Sequence, residues 1–98
     1  MPKTWPVSLT AAGAVPPTLS TNPRDKVIWT NNVIVNGAGV SVQLTLPTCV
    51  SPHGTITIAP RASSRAYTVR VGKGSYLYYY SYPSKKVLAA QTGIIDVS

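Results

Sequence analysis

The sequence predicts an all-β fold, a two-sheet sandwich or a barrel. Three observations carry this. Seven Gly and nine Pro are spread along the 98 residues, which leaves few places for long helices. Thr, Ser, Val and Ile are abundant, and β-branched residues favour strands. Short runs alternate apolar and polar residues at period two, with turn residues between them.

The elements follow in order. Trp5, Val7 and Leu9 alternate with Pro6, Ser8 and Thr10 as a first strand, broken by Val15-Pro16-Pro17. A short strand through Leu19 leads to the turn Asn22-Pro23-Arg24-Asp25, after which Val27 and Trp29 alternate with polar neighbours. Asn36-Gly37 marks another turn. Val40, Val42, Leu44 and Leu46 then alternate strictly with Ser41, Gln43 and Thr45, the pattern of a strand with one buried face. Residues 47–54 read as a loop; Ile56 and Ile58 form a strand closed by Pro60. Tyr67, Val69 and Val71 form the next, and Gly72-Lys73-Gly74 turns the chain into Tyr76, Tyr78 and Tyr80. Ile94, Ile95 and Val97 finish the set, for about eight strands. One segment dissents. SKKVLAAQT, 84–92, lacks Gly and Pro, starts on Ser and is followed by Gly93, so a short helix with an N-cap and a C′ glycine fits it. The expected core draws on Val7, Leu9, Leu19, Val27, Trp29, Val42, Leu44, Ile56, Ile58, Tyr67, Val69, Tyr76, Tyr78, Ile95 and Val97.

Composition removes several classes. The length suits one domain, 1–98, with a modest core. Hydrophobic residues are too plentiful for disorder, and charged residues, at 11%, too few for a coiled coil. No apolar run reaches the roughly 18 residues of a membrane span. One cysteine, Cys49, excludes a disulfide framework within the chain. Asp25 and Asp96 are the only acids, and with one His they offer little to catalysis, so the chain is expected not to be an enzyme. Residues 1–9 lack the apolar region of a signal peptide. This fits either a cytoplasmic protein or a mature domain carrying an added start methionine.

Two segments, in order, carry a family resemblance. TLSTNPRDKVIWTNN (18–32) contains a Pro23-Arg24-Asp25 turn followed by Val27, Trp29 and Asn31. GSYLYYYSYPSKKVLAAQTGIIDV (74–97) pairs a Gly74, Tyr76, Tyr78, Tyr79 strand with a final Gly93, Ile95, Val97. Together with Thr57-Ile58-Ala59-Pro60 these resemble the signature halves of the cupredoxins, the small blue-copper proteins, over about half the chain. The resemblance implies a Greek-key β-sandwich, and periplasmic or extracellular residence if the first residues are an addition. It also implies a turn glycine where Arg24 stands.

The departures concern copper. A type 1 site needs two imidazoles and a thiolate, with a weak axial ligand. The resemblance implies the first His between 31 and 46, where there is none. It places the thiolate at Tyr80, the second imidazole a few residues later around Tyr82, Pro83, Ser84 and Lys85, and the axial ligand at or near Gln91. Tyr80, Pro83 and Gln91 are thus degenerate ligand positions. No cofactor is expected. Cys49 and His53, in CVSPH, form a weak metal candidate two ligands short of a site; a buried thiol and a loop histidine is the plainer reading.

Two surfaces remain. Tyr79, Tyr80 and Tyr82, with Lys85 and Lys86, are the candidate contact surface at an exposed strand end, since tyrosine gives contact area at low entropic cost. Tyr80 has a second reading, as filler of the volume a copper site would occupy, with a hydroxyl that then needs a partner. The nine Lys and Arg against two acids give a net charge of +7. They read as a solubilising surface or as attraction to an anionic partner. Nucleic acid is disfavoured, because no glycine-rich phosphate loop or RNA-binding signature is present. The leading functional reading is a non-catalytic interaction or assembly module. A copper-binding electron carrier is the alternative, and a basic module for an anionic polymer comes third.

Overall fold

The computed structural model describes residues 3–51, 53–70, 72–84 and 87–98, with side chains described outside 83–89. Among them are twelve strands: β1 Thr4–Thr10, β2 Gly13–Val15, β3 Thr18–Thr21, β4 Lys26–Asn31, β5 Ile34–Val35, β6 Ala38–Gly39, β7 Val42–Thr45, β8 Val50–Ser51, β9 Thr55–Ile58, β10 Tyr67–Val69, β11 Gly74–Ser84 and β12 Val87–Val97. They build two five-stranded sheets. Sheet A runs β2-β1-β4-β10-β8, sheet B runs β3-β12-β11-β7-β9, and β5-β6 is a separate ribbon. The pairing is antiparallel except for β1 with β4 and β12 with β3. Apart from the β1-β2, β5-β6 and β11-β12 hairpins, the chain passes back and forth between the two main sheets, whose inner faces close over one core. The all-β sandwich expected from the residue pattern is what forms.

The expected strands appear where the alternation places them, and the additional ones are mostly two or three residues long. Asn36 and Gly37, at φ 53° and 79°, supply the two left-handed residues a tight hairpin needs, and they join β5 to β6. All four sheet edges are short, two to four residues each. Such edges discourage strand-to-strand aggregation.

The helix expected over 84–92 does not form. Residues from Val87 onward are strand β12, paired with β11 from Ser84↔Val87 to Gly74↔Val97. Nine residues make a marginal helix alone, whereas β11 offers the near-side backbone groups of this stretch a ready ladder of partners. Gly93 is no helix cap. It lies directly opposite Tyr78, whose ring covers it so closely that a Cβ there would overlap the ring. Among the described residues no helix is long and apolar enough to cross a membrane.

The core is aromatic at its centre. Trp29 meets Tyr78 edge-on, centroids 5.5 Å apart at 73°, and Tyr67 at 5.9 Å. Val7, Leu9, Val27 and Val69 line it from sheet A; Leu19, Val42, Leu44, Ile58, Ile95 and Val97 from sheet B. Ile56 and Tyr76, expected inside, are partly buried against this cluster. The buried Trp29 indole N–H and Tyr78 hydroxyl make no hydrogen bond of good geometry. Burial raises the Tyr78 hydroxyl's pKa, and the nearby indole offsets this only in part.

Two polar residues fasten the sandwich. Asn31, fully buried, donates its amide to the carbonyls of Val40 (2.6 Å), Ile58 (3.0 Å) and Ala59 (3.2 Å), and accepts from the Val33 N–H. Asp25, also buried, accepts from Lys3 N, Trp5 Nε1 and Asn22 N at 2.8–3.1 Å. Burial alone would raise its pKa, but these donors together hold the carboxyl below its ordinary value.

Candidate functional site

The positions where the resemblance implies copper ligands converge on one piece of backbone. Along β11, side chains alternate between faces, so Tyr78, Tyr80 and Tyr82 all point inward. Tyr80 is fully buried, and its hydroxyl donates to the Thr10 carbonyl at 2.6 Å. Tyr82, stacked on Tyr80 at 6.2 Å, donates to the Ala11 carbonyl at 3.2 Å. Gln91 sits opposite Tyr80 in the β11–β12 register and donates its amide to the same Ala11 carbonyl at 2.9 Å. The acceptors belong to the β1–β2 turn, which Thr10 closes by bonding Gly13 O and Ala12 N.

These groups therefore latch a turn. Burial raises the pKa of the Tyr80 hydroxyl, its bond to Thr10 opposing this only in part, so it stays a protonated donor. A neutral phenol spent on a carbonyl is a poor metal donor. The residues present do not fit a type 1 copper ion. The thiolate position holds this phenol, and residues 31–46 contain no imidazole.

The expected contact surface is corrected in part. Tyr80 and Tyr82 are core residues, because period two sends them inward beside Tyr78. The reading of Tyr80 as an interior filler with a partnered hydroxyl matches the geometry. Tyr79 is exposed (51%), and so is Leu77 (60%). Lys85 and Lys86 lie outside the described residues, as does the side chain of Pro83.

Cys49 and His53 stand in different surroundings. Cys49 is fully buried in the core. Burial pushes its thiol up to about 11, which disfavours the thiolate a metal requires. His53 is exposed on the loop beyond β8. Among the described residues no group of three metal-ligating side chains occurs.

No Lys or Arg lies within a strand of sheet B, although Lys73 directly precedes β11 and Lys85-Lys86 stand between β11 and β12 in the sequence. Lys26 lies in β4 of sheet A, with Lys3 beside β1 and Arg70 just after β10. The outward side of β11 carries Ser75, Leu77, Tyr79 and Ser81, flanked in register by Thr92 and Ile94 on β12 and by Thr45 and Gln43 on β7. Sequence alternation already places Leu77 with Tyr79. That no strand of their sheet carries a Lys or Arg depends on strand order, which alternation does not reveal.

No protein-family model matches the chain, and no curated protein matches it. Solved structures do. Two amicyanin variants in the Cu(I) state superpose with TM-scores of 0.61 and 0.59 at 17% and 16% identity, each covering 97% of this chain and 82% of the amicyanin. A purple cupredoxin from Nitrosopumilus maritimus superposes at 0.61 with 15% identity, covering 96% of this chain and 99% of its own. Identity this low speaks to architecture alone, and on that architecture the chain has the cupredoxin-like fold.

Proposed function

We propose that this chain is a non-catalytic interaction module on a cupredoxin-like scaffold, without type 1 copper, which associates with a second copy through the outer face of sheet B. The observation that carries this reading is the exposure of Leu77 and Tyr79 on the central strand of a sheet whose strands carry no Lys or Arg. A chain of net charge +7 repels its own copies wherever cations meet. Face-to-face contact of sheet B brings together Tyr, Leu, Ile and Thr instead, a surface suited to an isologous dimer. The short edges direct association to this face rather than to strand addition.

Sedimentation equilibrium across a wide concentration range tests it. Concentration-dependent dimer is expected, and Leu77→Lys with Tyr79→Lys should leave a folded monomer. A wild type that stays monomeric throughout removes the reading. The amicyanin structures bound as Cu(I) supply the competing reading of a copper electron carrier. Metal analysis and visible absorption of native material separate the two, since stoichiometric copper with an intense charge-transfer band would favour the carrier.

A further inference from the structure

We propose that the groove between the Asn22–Asp25 turn and β10 binds a phosphate group, free or as a small phosphomonoester. The groove encloses about 330 Å³ and is lined by Pro23, Arg24, Thr68, Val69 and Arg70. Two arginines and a threonine thus line one concavity. Lys26, directly opposite Thr68 in the β4–β10 register, puts a further positive charge on the neighbouring strand. Arginine forks match tetrahedral oxyanions in a bidentate manner, and a neighbouring hydroxyl supplies a further donor. The volume exceeds what a bare phosphate fills and sits at the small end of metabolite clefts.

The backbone holds this cluster in place. Arg24 N–H donates to Val69 O at 2.9 Å, Val69 N–H to Asp25 O at 2.8 Å, and Arg70 N–H to Cys49 O at 2.8 Å. Both arginines therefore leave from fixed points, which lowers the ordering cost of binding. The two side-chain carboxylates of the chain are engaged elsewhere. Asp25 accepts from Lys3 N, Trp5 and Asn22 N, and Asp96 from Ser75.

Arg24 carries the second observation. Its φ is 78°, in the left-handed region where glycine is relaxed and an arginine is strained. Strain retained at one residue beside a cationic groove points to a use for that side chain. This inference concerns a different face from the proposed dimer surface and does not depend on it.

The test is a nitrogen-15 NMR titration of the whole chain with inorganic phosphate, and separately with p-nitrophenyl phosphate, against chloride at matched ionic strength. Saturable shifts confined to Arg24, Lys26, Thr68 and Arg70 are expected. Arg70→Gln should weaken binding by about tenfold or more, the effect of losing charge-assisted hydrogen bonds. Arg24→Gly should also weaken it while leaving thermal stability equal or higher, so lost binding cannot be ascribed to unfolding. Tighter binding of the ester identifies an organic phosphate as the ligand; equal affinity identifies the free ion. Shifts that do not saturate, that chloride reproduces, or that persist in the Arg24→Gly/Arg70→Gln double variant overturn the proposal.

Discussion

The Tyr80 hydroxyl donates to the Thr10 carbonyl at 2.6 Å, across 70 residues of chain and from one sheet to the other. A residue at the position of an implied copper thiolate is thus a clamp between β11 and the β1–β2 turn. Tyr82 and Gln91 repeat the bond on the adjacent Ala11 carbonyl. Neutral hydrogen bonds thus hold this corner of the sandwich together.

The clamp has a measurable worth. Tyr80→Phe removes one hydrogen bond but keeps the ring, and should cost about 1 kcal/mol. In a domain of this size that lowers the thermal midpoint by about 4–8 °C. Tyr80→Ala also empties a buried volume and should cost about 3–5 kcal/mol. Urea unfolding of the two variants checks the order, and a Phe variant as unstable as the Ala variant would place the clamp's role in its hydroxyl alone.

Gly93 should resist even the smallest side chain. A methyl group at 93 would occupy the space of the Tyr78 ring, which is buried and packed edge-on against Trp29. Gly93→Ala should therefore destabilise by about 1–3 kcal/mol, the range for overpacked cores. Combining it with Tyr78→Leu should cost less than the sum of the two changes, because the clash disappears. Additive losses in a double-mutant cycle would show the contact to be loose.

Stability should fall at both ends of the pH range, for opposite reasons. Asp25 has a folded pKa below its ordinary value of 3.8, so its ionised form stabilises the fold above that pH. The contribution is lost as pH drops through the lower folded value. Asp25→Asn should be less stable at neutral pH and should show a flatter profile in acid. Cys49 behaves inversely. Its thiol is raised from 9.0 to about 11, so its stabilisation is present below pH 9 and is lost as the unfolded thiol ionises between these values. Cys49→Ala should remove that part of the alkaline decline. Urea midpoints measured from pH 2 to 11 test both signs.

The all-β class and the register of its main strands were decided by local physics. Period-two alternation at Val42 and Leu44, or at Val27 and Trp29, exposes one face to water and buries the other whatever the partner strand. The turn at Asn36-Gly37 is equally local, since it depends on two residues tolerant of left-handed backbone. The segments 18–32 and 74–97, taken together and in order, also carried the resemblance, and the lack of histidine in 31–46 sufficed to question copper. What lay beyond reach depended on which strands become neighbours. Segment 84–92 has helix-forming residues, yet Val87 onward is strand because β11 turns back on it as a hairpin and supplies interstrand partners that single-segment propensity cannot count. Tyr80 and Tyr82 look like contact residues until the Thr10 and Ala11 carbonyls arrive from the other sheet and make burial of their hydroxyls affordable. The grouping of Arg24 with Arg70, and the setting of Leu77 and Tyr79 in a sheet whose strands carry no Lys or Arg, likewise exist only once distant segments pack, because a surface is a property of neighbours in space.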